Sequence, residues 1–124
     1  MFQLQLTPII PVTEIVDLHK KYGKRPDYDI YIGRIVEGTE FTKDSIWANP
    51  FHGVNALKFY YSYILHKIIT YPKKYDLQSL VNKKLGCWCL NTKKVYPLQC
   101  HGQILLFLIE TRILQRNYYE TLHF

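Results

Sequence analysis

The stretch Leu85–Ile109, LGCWCLNTKKVYPLQCHGQILLFLI, decides the fold, because it holds all three cysteines of the chain around one strand-to-helix crossing. Lys84 to Leu90 reads as a buried strand. Side chains alternate across a strand, so Cys87 and Cys89 share one face and Trp88 takes the other. The connection that follows carries Lys93, Lys94 and Pro97 and ends at Cys100-His101-Gly102. Gln103 to Gln115 then reads as a helix, nearly all apolar from Ile104 to Ile109 and therefore deeply packed.

Working outward, a second unit of the same kind precedes it. Asp29 to Ile32 is a short buried strand ending at Gly33-Arg34, where the backbone can turn and a cation can face outward. Residues 35 to 51 are loop-like, with Phe41, Trp47 and Phe51 among Gly38, Asp44, Asn49 and Pro50, and a loop of that length in a small domain is often a binding loop or lid. Its alternative role is a surface insertion pinned in the core by Trp47 and Phe51. Val54 to Tyr71 is the clearest helix: Leu57, Tyr60, Tyr61, Ile64 and Ile68 recur at helical spacing, Asn55, Lys58, Ser62 and His66 hold the opposite face, and Pro72 ends it. Asp76 to Val81 is a short helical turn with Asp76 as its cap. Toward the N-terminus, Val12 to Leu18 reads as a strand, and the alternation of Phe2, Leu4 and Leu6 suggests an edge strand or arm stopped by Pro8 and Pro11.

The 124 residues, 48% of them hydrophobic, suit one domain with one core. The fold class expected is α/β: a small single domain with a short mixed or mostly parallel sheet and packed helices, Rossmann-like in part. Its core spans about 15–109, with an arm at 1–11 and an aromatic tail at 117–124 that could dock on the domain or join copies into a homo-oligomer. An odd cysteine count and no signal-like opening argue against a secreted disulfide framework, and no apolar run approaches the length of a membrane span. An intracellular, cytoplasmic protein with no membrane partner is expected. A net charge of +6 favours an acidic or phosphate-bearing partner.

In α/β proteins ligands sit outside the carboxyl ends of parallel strands, beside the helix N-termini. That rule gathers Arg34, Trp47, Asn49, Cys89, Cys100 and His101 on one edge as candidate ligand-binding residues. The same chain positions resemble the family known as domain of unknown function 4326, found in bacteria, phages and large DNA viruses. The resemblance runs from about Ile15 to Ile109. It is carried by Ile15-Val16-Asp17-Leu18, Tyr31-Ile32-Gly33-Arg34, Trp47 with Asn49-Pro50-Phe51, Leu85-Gly86-Cys87-Trp88-Cys89, and Cys100-His101-Gly102. It implies a small α/β domain, of viral or phage type among others, without an assigned activity. This chain departs from the family pattern in its long link from Arg34 to Trp47, and in Ile46 and Ala48 where Lys and Gly are common.

Four chemistries fit these residues. A nucleotide or other phosphate-bearing ligand ranks first, held by helix N-termini and Arg34 with Trp47 to stack a base. The chain contains neither a Walker loop nor a GxGxxG fingerprint. Zinc is a weaker candidate: Cys87, Cys89, Cys100 and His101 are the right ligand types, but cysteines on a straight strand lack the spacing of a zinc knuckle. A nucleophilic Cys100 assisted by His101 is a third reading, since a helix N-terminus lowers thiol pKa. Nucleic-acid binding is the fourth, prompted by Lys20-Lys21, Lys73-Lys74, Lys83-Lys84 and Lys93-Lys94. A nucleic-acid or protein-interaction module with a structural Cys/His site and no catalysis is the alternative to the ligand-binding domain. His101, Asp29 and Asp44 are acid/base candidates, but no carboxylate pair names a mechanism, so whether the protein is an enzyme stays open.

Overall fold

The computed structural model describes residues 12–88 and 100–114; Cys89, Lys93, Lys94 and the expected N-terminal arm and C-terminal tail lie outside the described residues. Three strands, β1 (Glu14–Asp17), β2 (Ile30–Tyr31) and β3 (Lys84–Cys87), pair in parallel in the order β1-β3-β2. The first helix, α1 (Ala56–Thr70), links β2 to β3 by way of a 3-10 turn at Leu77–Leu80, and α2 (His101–Ile109) follows β3. The fold is α/β, and the described sheet is parallel throughout.

β3 is the centre of the sheet. Leu85 sits opposite Ile15 of β1 and Ile30 of β2, and Gly86 opposite Val16 and Tyr31. Leu85 and Cys87 point into one buried cluster with Tyr60, Ile64 and Ile68 of α1 and Ile104, Leu105 and Leu108 of α2. Both helices therefore cover the same face. Trp88, Tyr31, Phe41 and Tyr28, all from short strands and loops, cover the other face as an aromatic layer. Arg25 lies over the Trp88 and Phe41 rings, at 4.9 and 5.4 Å from their centroids, and donates from Nη1 to the Leu18 carbonyl. Its fork also holds Glu40, at 2.7 and 3.1 Å. That carboxylate is exposed and screened, so the stacked guanidinium and the carbonyl bond do most of the clamping.

Local chemistry accounts for the helix bounds. Gly53, at φ +90°, turns the chain into α1, which begins two residues later than the periodicity suggests. Tyr60, Ile64 and Ile68 form its buried stripe, whereas Tyr61, expected in that stripe, is 38% exposed at its margin. His66 is on the solvent side. Asp76 caps the 3-10 turn by accepting from the Gln78 N–H, as its position before that turn predicts. α2 starts at His101 rather than Gln103, because Cys100 is its N-cap: the thiol accepts from the Gly102 N–H, and the Gln103 side chain accepts from the Cys100 N–H. The helix runs on into a π-helical turn at Glu110–Leu114.

Gly86 is where the aromatic layer comes closest to the sheet. A Cβ there would lie 2.9 Å from Leu18 Cδ1 and 3.1 Å from Tyr28 Cγ, and Leu18 is fully buried and has no room to retreat. Gly86→Val is expected to destabilise the fold by roughly 1–3 kcal/mol through overpacking. Urea denaturation of the two proteins measures it; an unchanged midpoint would mean that the layer yields freely.

Candidate functional site

The carboxyl ends of the three strands open onto a cavity of about 780 Å³. Each strand contributes to its wall: His19 just beyond β1, Gly33 and Arg34 beyond β2, and Cys87 and Trp88 at the end of β3. Asn49 to Leu57 close the opposite side with Asn49, Phe51, His52, Gly53, Val54, Ala56 and Leu57, and His101 enters from the first position of α2. This is the edge that the strand-end rule selects.

The sequence candidates divide when they are placed on this geometry. Arg34, Asn49 and His101 line the cavity, as does Cys87. Trp47 does not: it is 4% exposed and packs edge-on against Tyr75, with its carbonyl accepting from the Tyr60 hydroxyl at 2.6 Å. An indole held in the core cannot stack a ligand base, so Trp47 anchors the loop. Cys100 is 1% exposed and occupied in capping α2, with its sulfur 3.0 Å from that of Cys87. Burial and capping both oppose the role of an open nucleophile. Among the described residues no group of three or more His, Cys, Asp or Glu is arranged to hold a metal ion. Asp29 accepts from the Lys84 N–H at the opposite end of the sheet, and Asp44 accepts from the Ile35 N–H, so Asp29 is remote from the cavity and Asp44 structures the loop.

Asn49 lines the cavity while stapling it. Its Oδ1 accepts from the Phe51 N–H and its Nδ2 donates to the Ala56 carbonyl, joining the loop to the first residue of α1. Beside it α1 opens without a side-chain cap, since Asn55 makes no such bond. Gly53, Val54, Ala56 and Leu57 around this helix start line the cavity; the Ala56 N–H donates to the Gly53 carbonyl, and the N-terminal end of a helix favours negative charge. The Arg34 guanidinium lies against the His52 ring, Nη1 being 3.0 Å from Nε2, and its backbone carbonyl accepts from the Tyr31 hydroxyl. That hydroxyl in turn accepts from Trp88 Nε1 at 2.8 Å, so the aromatic layer fixes the backbone on which Arg34 stands. Among the described residues no carboxylate pairs with Arg34.

His101 is the buried histidine of the wall, 9% exposed. Its Nε2 lies 2.6 Å from the Ile32 carbonyl. A carbonyl only accepts, so Nε2 carries the hydrogen. Burial holds the imidazole below the ordinary histidine range and Arg34 adds to this, against the opposing pull of the Ile32 bond and Cys87.

His19, His52 and Trp88 were not among the sequence candidates. His19 follows β1 directly, and applying the strand-end rule to β1 as well as to β2 and β3 would have found it. His52 follows the Asn49-Pro50-Phe51 motif and precedes α1, the same signal in another guise. Trp88 carried only an alternation signal, which says which face it takes and not how far it reaches beyond the strand.

The chain belongs to the family of the domain of unknown function DUF4326, whose model matches residues 16–111. No curated protein and no solved structure matches the chain. No helix among the described residues is long and apolar enough to cross a membrane.

The neutral burial of His101 has a pH signature. Its folded pKa lies below the unfolded value of about 6.5, so on acidification the unfolded chain takes up a proton that the native state refuses. The stability it secures is complete above about pH 6.5 and declines as the pH falls from there. Urea midpoints followed from about pH 8 to about pH 5 should drop more steeply for the wild type than for His101→Gln, whose amide does not titrate. Parallel profiles would mean that His101 is not held neutral.

Proposed function

We propose that the cavity binds a small phosphate-bearing ligand, a nucleotide being the class that best fits its size and walls. The observation that carries the proposal is Arg34: a guanidinium at the cavity wall with no carboxylate partner among the described residues, beside the uncapped N-terminus of α1. A cation beside a helix N-terminus that lacks a side-chain cap suits a phosphate. The rest of the wall is mixed, with Phe51, Leu57 and Trp88 providing apolar surface for a sugar or base and His19, His52 and Asn49 providing polar groups. Trp88 and Phe51, rather than Trp47, are the aromatics that line the cavity. The volume, about 780 Å³, lies within the range of small-molecule sites.

The nucleic-acid alternative gains less support. Lys83 and Lys84 stand at the start of β3 and Lys20 and Lys21 beyond the end of β1, so these two doublets fall at opposite ends of a parallel sheet rather than on one phosphate-tracking face.

Calorimetric titration with the four ribonucleoside 5′-monophosphates at low salt tests the proposal. At least one should bind, and Arg34→Ala should weaken it by about tenfold or more, the worth of a charge-assisted hydrogen bond. Absence of binding, or an affinity that Arg34→Ala leaves unchanged, overturns it.

A further inference from the structure

The tautomer of His101 says more about the ligand than its phosphate. With the hydrogen on Nε2 engaged by the Ile32 carbonyl, the neutral ring keeps a lone pair on Nδ1. Among the described residues no hydrogen bond reaches Nδ1, and the edge of Tyr60 packs against the ring at 5.1 Å between centroids. The Tyr60 hydroxyl is committed to the Trp47 carbonyl and does not serve it. A buried acceptor left unmatched is unfavourable, and in folded proteins such groups meet water or a ligand. His101 has a cavity to meet one in, and Arg34 lines the same cavity, close enough to act on its charge.

We infer that Nδ1 of His101 accepts a hydrogen bond from a neutral donor on the ligand, a hydroxyl or an amino group carried by the same molecule as the phosphate that Arg34 receives. The inference rests on the phosphate proposal above and narrows it. A bare phosphate carries only its own P–OH groups, at the place Arg34 receives it; a ribonucleotide adds hydroxyl and amino donors set apart from the phosphate. The surroundings keep His101 in the accepting form. Arg34 opposes a second positive charge, His52 lies beyond it against the guanidinium, and no carboxylate reaches the imidazole from β2, β3, α1 or α2 among the described residues. The Ile32 bond and Cys87 favour protonation, but burial outweighs them. His101 is therefore a specificity residue: it reads what the phosphate carries.

The experiment compares wild type with His101→Gln, whose amide nitrogen can still donate to the Ile32 carbonyl while the Nδ1 acceptor is gone. Both are titrated with the four ribonucleoside 5′-monophosphates and with inorganic phosphate, after thermal melts establish that the variant is folded. In the wild type, nitrogen-15 spectra of the histidine rings report Nδ1 directly. The expected result is a loss of about tenfold in nucleotide affinity with phosphate affinity unchanged, and an unprotonated Nδ1 resonance at neutral pH that moves on adding nucleotide and not on adding phosphate. Nucleotide binding that needs Arg34 but is indifferent to His101→Gln, with Nδ1 unmoved, overturns this inference and leaves the phosphate proposal standing. If the variant does not fold, the Nδ1 resonance decides alone. Binding of neither probe overturns both.

Discussion

Among the described residues β1 and β2 are not paired with each other; each is joined to the sheet through β3. β2 contributes two residues and β1 and β3 four each, so the pairing is short and cannot stand on its ladders alone. What stabilises it is burial on both faces of β3: Leu85 and Cys87 under the two helices, Gly86 and Trp88 under the aromatic layer. Gly86 sets the distance of that second layer, because the absence of a side chain lets Leu18 and Tyr28 rest on the strand itself.

The cavity follows from the same arrangement. Three parallel strands end together, their next residues diverge, and the space between them is bounded by the loop before α1 and the start of α2. The two helix N-termini there are finished differently. α2 is closed by Cys100 and Gln103, which occupy its first donors, while α1 is left without a side-chain cap. Both termini border the cavity, and the one without a side-chain cap, that of α1, is the more available to negative charge.

His101 joins these two features. It is the first residue of α2, yet its Nε2–H satisfies the carbonyl of Ile32 just past the end of β2, so the helix is tied to the strand from which Arg34 departs. Arg34 in turn takes its backbone position from Tyr31 and Trp88, and Trp88 from Arg25. The polar wall of the cavity is built on buried packing from both sides of the sheet, which suits a site whose geometry is set before a ligand arrives.

Read alone, the chain makes the α/β class legible, along with the strands around Ile15, Ile30 and Leu85, the helix bearing Tyr60 and Ile64, the Asp76 cap and the strand edge that bears Arg34, Asn49 and His101. These follow from local rules: periodicity, capping residues and the position of strand ends. The roles of Trp47 and Cys100 were not legible. A tryptophan in a loop looks the same whether it faces a ligand or Tyr75, and a cysteine before a helix looks the same whether it is a nucleophile or a cap. His19, His52 and Trp88 join the site only because β1, the loop before α1 and β3 converge, and the tautomer of His101 is set by a carbonyl 69 residues away in sequence. The sequence by itself determined which elements form, since that depends on neighbours along the chain; only the tertiary structure decided which side chains face the cavity, because that depends on contacts between residues far apart in it.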